Sequence, residues 1–506
     1  MTELQPLEIL PATSETPDAT AVVFRDQTLT WAELERRARR LATALYDAGI
    51  KDDERCGVLA FNRLEWPELY VGTARAGSRL VMLNWHLRAA EIRELLIDSG
   101  CPIIVVDEPN ESAAKEAAIG TSVERIVVLG EEYEDWITSA RDVLLPDHKC
   151  GAPLMYTGGT TGRSKGVTRS DQNRPASAYA TAYGMWGELT RMPSTGRAML
   201  MTPAYHALGN AVVQSTLARR HPLTILERFD PETTIRTIDE QSITTTAMVP
   251  TQFIRLLKLD DDIKAAHDVS SIEWVLHTAA PCPAWAKRGM IDWFGPTIVE
   301  LYGASEGVGP VVSTSQDFLE RPGTVGKASA AVDISIVDDE GNDLPAGEIG
   351  TIYARRSDGA PKYEGDPEKT AAMQLPDGRF TVGDVGWLDE DGYLFLADRR
   401  VDLILVGGSN VYSAEIEGTL SQHPDIADVA VFGIPHADMG QEIKAVVEAA
   451  PGRTVDASEV IAWASERIAK YKVPKTVDVT DTLPREESGK LKKRYLRDPY
   501  WEGLTR

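Results

Sequence analysis

Cysteine is scarce and scattered. Only Cys56, Cys101, Cys150 and Cys282 occur, none at the short spacing of a metal or redox motif, so they read as buried or free thiols in a reducing compartment and not as a disulfide framework. Basic charge is also in deficit: 53 lysines and arginines face 77 acids, for a formal charge of -24. That is the wrong sign for a protein whose affinity comes from neutralising phosphate backbones, and nucleic acid is not expected as a partner. No apolar run approaches membrane-spanning length. The opening MTELQPLEILPATSETPD lacks the basic and apolar stretches of a signal peptide. The expectation is a cytoplasmic protein without stable membrane insertion.

The 43% of hydrophobic and 26% of charged residues are those of an ordinary soluble chain with a sizeable core. At 506 residues the chain exceeds what one core sustains, so two or more domains are expected. Its first half alternates β-rich runs (RCGVLAF, RLVMLN, PIIVVD, RIVVLG) with helical stretches, one through ELYVGTARAG and one ending near Gly100. This is the pattern of parallel sheets covered by helices. Thr30 and Glu33 stand at capping-box spacing, Trp31, Leu34, Ala38, Leu41 and Leu45 follow at helical intervals, and Gly49 suits the end of that helix. After residue 320, VDISIVDDEGNDLPAGEIGTIYARR reads as strands joined by a tight turn. Beyond Arg399, VDLILVGG, IADVAVFGIP, IKAVVEAA and a helix around SEVIAWASERIAKY suffice for a separate α+β domain.

The strongest motif is MYTGGTTGRSKGV, Met155 to Val167. Glycines at 158, 159 and 162 let the backbone approach phosphate oxygens, Thr157, Thr160 and Thr161 donate hydrogen bonds, and Lys165 supplies a point charge. The lysine follows Arg163 and Ser164 and precedes a glycine, so this is not the Walker loop of switch and motor NTPases.

This loop resembles the signature of the adenylate-forming superfamily of acyl-CoA synthetases, luciferases and peptide-synthetase adenylation domains. Further motifs similar to the family's follow in order. His277-Thr-Ala-Ala-Pro281 resembles the segment lining adenine, with Ala280 and Pro281 at the matching positions. Glu300-Leu-Tyr-Gly-Ala-Ser-Glu306 resembles the segment that holds adenine, the α-phosphate and magnesium: the resemblance assigns Tyr302 and Gly303 to the base, Ser305 to the α-phosphate and Glu306 to Mg²⁺. Gly383-Asp384 and Arg399 match the ribose clamp. Val406-Gly-Gly-Ser-Asn-Val-Tyr-Ser-Ala-Glu is similar to the loop lining a coenzyme A tunnel, which implicates Gly407, Gly408 and Ser409. Leu483-Pro-Arg-Glu-Glu-Ser-Gly-Lys490 resembles the catalytic loop, with Lys490 as its lysine. Met201-Thr-Pro-Ala-Tyr-His-Ala-Leu-Gly209 is similar to the border of the acyl pocket, where His206 matches a gating ring. Two departures stand out. Val401 occupies the place of the family's hinge aspartate or lysine, and Ser413 stands where many relatives carry proline, a change with no evident chemical cost.

The resemblance implies an α/β fold with a large N-terminal domain over residues 1–398, made of two α/β sheet subdomains and a β-rich subdomain. It implies a hinge at 399–402 and a small mobile C-terminal α+β domain over 403–506. It also implies an acyl-CoA ligase of the fatty-acyl or bile-acid type, with ATP and coenzyme A as cosubstrates and Mg²⁺ as cofactor, and it is compatible with a homodimer. Catalysis falls to Lys490, Lys165, Glu306 and His206. The resemblance also bears on the substrate: amino-acid-activating members of the family carry an aspartate in this segment, and its absence from 201–209 argues against an amino-acid substrate and for a plain carboxylic acid, fatty, aromatic, or bulky and steroid-like. Transfer to a carrier protein and a catalytically inactive nucleotide-binding homologue remain as alternatives.

Overall fold

The computed structural model describes residues 10, 12–150, 152–157, 165–168, 174–304, 307–356, 359–360, 362–363, 367–407, 409–436, 438–486 and 489–502. The chain forms two compact units. One comprises Met1–Ala247, His267–Val275 and Pro361–Ala372, and the other Met248–Ala266, Leu276–Ala360 and Met373–Arg506.

The first unit carries the expected alternation of strand and helix. Arg55–Leu59, Arg79–Met82, Ile103–Val106, Arg125–Val128 and Leu154–Thr157 run parallel. Helices Trp66–Arg75, Ala89–Ser99 and Glu111–Ala118 make crossovers between them. Arg55–Leu59, Arg79–Met82 and Ile103–Val106 are buried on both faces, which explains their apolar runs; Leu59, Val81, Ile104 and Val106 pack with Ile92 and Leu96 of a covering helix. A second group, Thr20–Phe24, Ala198–Leu200, Leu223–Ile225 and Thr245–Met248, is also parallel.

The helix Trp31–Asp47 begins as its sequence dictates. The Thr30 amide donates to Glu33 Oε2 at 2.9 Å and the Glu33 amide to Thr30 Oγ1 at 3.2 Å. Gly49 follows its end at φ 86°.

The second unit is largely antiparallel. Ile298–Tyr302, Val311–Thr314 and Thr324–Ala328 follow one another, and Asp384–Leu388 pairs with Leu394–Arg399. The predicted turn joins Val332–Val337 to Gly350–Arg356, with the Asp338 amide donating to the Asn342 carbonyl at 2.9 Å. Beyond residue 403 lies a five-stranded sheet built on the long pair Ile426–His436 and Gly440–Ala449. The helix expected around SEVIAWASERIAKY is shorter than its pattern, Ala457–Ser465. The chain turns at Glu466, and Lys470–Lys472 forms a separate 3-10 turn before Pro474. Cys56, Cys101 and Cys282 are free, the first two buried. No helix among the described residues is long and apolar enough to cross a membrane.

Candidate active site

In the first unit two strands flank the segment 158–164, which the sequence marks as a phosphate cradle. Leu154–Thr157 and Lys165–Thr168 are antiparallel, with Thr157 directly opposite Lys165. The neck thus joins the two residues that bracket 158–164; Gly158, Gly159, Thr160, Thr161 and Gly162 lie outside the described residues. Tyr156 anchors the first strand by donating to Asp98 Oδ2 at 2.7 Å.

His206 is the N-cap residue of the Ala207–Ala218 helix, half-buried, with its ring 4.2 Å from that of Tyr205. Its segment is tied down from two sides: the Ala204 amide donates to Asn62 Oδ1 at 2.8 Å, and Tyr70 Oη donates to the Ala204 carbonyl at 2.5 Å. Gly209 has to be glycine, because a Cβ there would lie 2.1 Å from the Pro203 carbonyl oxygen. Neither Asn62 nor Tyr70 carries a local signal of this role, since their partners lie over 130 residues away.

The second unit gathers the candidate nucleoside contacts. Thr278 Oγ1 donates to the Leu301 carbonyl at 2.6 Å, tying the 277–281 segment to the strand that ends in Tyr302. Between them Ala279 takes φ 78°, a left-handed conformation that disfavours an L residue by about 1–2 kcal/mol. Ala280 is half-buried and Pro281 exposed. Tyr302 Oη donates to Asp384 Oδ2 at 2.8 Å. Asp384 in turn lies directly across the antiparallel ladder from Arg399. The residues expected to meet the base and the sugar are therefore neighbours here. Gly303 fits because its Cα sits against the backbone of Val308 and Gly309. Ser305 and Glu306 lie outside the described residues. Among the described residues no group of three or more His, Cys, Asp or Glu is arranged to hold a metal, and a cation coordinated chiefly by phosphates and one or two carboxylates needs none.

Gly407 and Ser409 flank the tip of a β-hairpin, with Val406 opposite Ser409; the Gly407 amide donates to the Met439 carbonyl at 2.9 Å, and Gly408 is outside the described residues. Lys490 is half-buried in a tight loop. The Glu486 amide donates to its carbonyl at 2.9 Å, and Arg485 bonds both Asp428, at 2.7 Å, and the Gly489 carbonyl, at 2.5 Å. Gly489, at φ 82°, lies against Val249, whose Cβ a methyl group there would approach to 2.9 Å. The basic residues after Lys490 are not a solvated tail. Lys492 pairs with Glu486 at 3.0 Å, and Lys493, with only 11% of its side chain exposed, pairs with Glu417 at 2.8 Å.

Below these segments lies a charged group that motif matching misses. Lys287 and Glu300 form a buried ion pair at 2.5 Å, and His277 Nε2 is 3.8 Å from the same carboxylate oxygen. Burial pushes the Glu300 carboxyl up, but the Lys287 ammonium, with His277 behind it, outweighs this and holds it below the ordinary range. His277 opens one of the two candidate nucleotide segments and Glu300 the other, and Glu300 shares a strand face with Tyr302. The available signal is Lys287 itself, a lysine on the apolar stripe formed by Met290, Ile291 and Phe294.

Burial lowers the His277 pKa to about 4, and the fully buried His221 is likewise held at about 4 by desolvation. Both rings fold neutral, so their contribution is complete above the unfolded pKa of about 6.5 and is lost as the pH falls towards 4. Each ring should destabilise the fold by roughly 2 kcal/mol between pH 7 and pH 5. Urea midpoints at the two values check this, and His277→Gln should show the smaller difference between them.

A family model described as "AMP-binding enzyme" matches residues 11–363, and one described as "AMP-binding enzyme C-terminal domain" matches residues 415–490. The chain is 33% identical to a feruloyl-CoA synthase of Amycolatopsis sp over 493 residues, 95% of this chain and 96% of that protein. It is 30% identical to the fatty acid--[acyl-carrier-protein] ligase ScoC of Streptomyces coeruleorubidus over 97% of this chain and 95% of the relative. The crystal structure of ATP-bound MatB from Rhodopseudomonas palustris matches with a TM-score of 0.81 at 29% identity, covering 96% of each chain.

Proposed function

The chain belongs to the AMP-binding enzyme family, on the acyl-CoA ligase branch of the adenylate-forming superfamily, and from that premise we propose that it joins a fatty or bulky steroid-type carboxylic acid to coenzyme A through an acyl-adenylate. The observation that carries the reading is the Tyr302–Asp384 hydrogen bond with Arg399 across the ladder. It offers an aromatic face for a purine beside a carboxylate suited to ribose hydroxyls, with an arginine at the paired position of the ladder.

A carboxylate is ionised at neutral pH and needs no general base. Its oxygen attacks the α-phosphorus of ATP, an O–P bond forms, and the bond to the β-phosphate breaks to release pyrophosphate. Lys165, from the neck of the phosphate segment, and Lys490 neutralise charge on the phosphates and on the substrate carboxylate. Ser305 donates to the α-phosphate. Glu306 would hold the Mg²⁺ that accompanies ATP, which supplies further charge neutralisation. Ala280, Pro281 and Gly303 let the adenine approach the backbone.

Residues 403–506 then turn about 399–402 relative to 1–398. Lys490 withdraws, and Gly407, Gly408 and Ser409 line the path of the thiol. The sulfur attacks the acyl carbon, a C–S bond forms, AMP leaves with the electron pair, and the thiol proton passes to solvent. His206 borders the acyl pocket, and the lack of an aspartate in 201–209 disfavours substrates with an ammonium group.

The likeness to ScoC supports a second reading, in which the acceptor is the phosphopantetheine of a carrier protein. Both readings are tested by following pyrophosphate and AMP release from MgATP across fatty, steroid-type and aromatic acids, with and without coenzyme A. We expect turnover dependent on coenzyme A with one acid class and one pyrophosphate per thioester. Adenylate without a coenzyme A thioester, discharged only by a carrier protein, would establish the second reading. Release of ADP in place of AMP would overturn both.

A further inference from the structure

The helix Ser413–Leu420 begins without a cap of its own, because its N-cap residue is Tyr412, which makes no side-chain capping bond. The first amides of a helix need an acceptor, and here it comes from outside the helix. Asp398 Oδ2 accepts from Ser413 Oγ at 2.8 Å and from the Ala414 amide at 3.3 Å. Asp398 belongs to the strand Leu394–Arg399 and pairs in register with Val385, so it is fixed to the strand that starts at Asp384. Ser413 is fully buried and also accepts from Lys493 Nζ at 2.6 Å. Lys493 is paired with Glu417 of the same helix, and that carboxylate accepts from the Val431 amide at 2.8 Å. A continuous polar chain therefore runs from Asp398, before the short 3-10 turn Arg400–Asp402, into the interior of the segment after it.

The rest of that segment is seated in the same arrangement. Lys258 Nζ donates to the carbonyls of Ser421, at 3.2 Å, and Ile426, Trp285 Nε1 donates to Ser421 Oγ at 3.1 Å, and the Lys490 loop lies against Val249. Unlike these contacts, the Asp398 bonds span the proposed pivot itself. Rotation about 399–402 cannot proceed while a residue on the near side of the turn caps a helix on the far side.

We propose that Asp398 and Ser413 form a latch across the hinge that holds residues 403–506 with the Lys490 loop inward, so that it favours adenylate formation and has to open before the thiol is admitted. The proposal rests on the two-step function set out above and makes Ser413 a positioning residue, not a catalytic one. It also assigns a consequence to the serine that stands where many relatives carry proline. Proline is well accommodated at the first position of a helix, so Ser413→Pro removes the hydroxyl without breaking the helix. It serves as a folded control beside Ser413→Ala.

The test has two parts. In single turnover, both variants should form acyl-adenylate about fivefold more slowly, the scale of losing one hydrogen bond to a charged group, while thioester formation from purified acyl-adenylate and coenzyme A becomes faster. Independently of turnover, hydrogen exchange in a peptide covering 399–412 should rise in both variants and in Asp398→Ala. Equal slowing of both half-reactions, or unchanged exchange in all three variants, would overturn the latch. If exchange rises but no acid gives adenylate even with the unaltered protein, the latch stands and the proposed function fails.

Discussion

Lys490→Ala will slow acyl-adenylate formation by about 10²–10³-fold, the scale of removing one preorganised donor from a charge-developing site. Thioester formation from preformed acyl-adenylate will stay within a few-fold of the unaltered rate. The asymmetry follows from the loop. Arg485 braces it against Asp428, Gly489 turns at φ 82° and packs on Val249, and the ammonium is thereby presented by a short, fixed backbone. Substituting the side chain leaves those supports intact, so the fold should not change. Lys492→Ala is the matching control. Its ammonium pairs with Glu486 at 3.0 Å within the same loop, and its loss should alter the adenylation rate by less than about threefold, as expected of a partly exposed pair. A similar loss with both variants, measured as pyrophosphate release, would remove Lys490 from the reaction.

Lys287→Ala should cost about 3–5 kcal/mol of stability, because it strands the Glu300 carboxylate with no cation in a buried site. The Lys287 side chain is 1% exposed and its ammonium lies 2.5 Å from its partner, so water cannot take its place. Equilibrium urea unfolding reads the loss directly. The double variant Lys287→Met with Glu300→Leu should recover most of it, since replacing a buried pair by apolar groups of similar volume removes both desolvation penalties at once. The double variant should also separate two contributions of Glu300, its charge and its place on the strand face shared with Tyr302. A loss below about 1 kcal/mol in Lys287→Ala would mean the carboxyl simply takes up a proton.

How far the sequence could be read depends on the distance over which each feature is decided. The Thr30 capping box, the Asp338–Asn342 turn and the parallel strands of the first half are written in a few adjacent residues and occur where the pattern places them. Tyr302, Asp384 and Arg399 were reachable because each sits in a motif with a characteristic order, although nothing local says that the tyrosine hydroxyl meets that carboxylate. Ser413 marks the limit. It reads as a harmless replacement for proline, yet its hydroxyl lies between Asp398, 15 residues before it, and Lys493, 80 residues after it. Such partners are chosen by sheet register and by the return of the C-terminal segment, which no local window contains. The helix ending at Ser465 erred in the other direction, since its apolar pattern continues after the backbone has turned away.

The facing of Lys165 and Thr157 at the neck is inherited. Thr157 closes a strand that pairs Val81 with Leu154 and Met82 with Met155, and Lys165 opens the strand laid against it. Strand residues alternate between faces, so a one-residue slip anywhere along that ladder would exchange the faces of every residue on it. Lengthening the 158–164 segment would leave the neck untouched, because the sheet has already brought its ends together and extra chain adds little closure entropy. Variation among such proteins therefore has a cheap direction, the length of the span between the strands, and a forbidden one, the register beneath it.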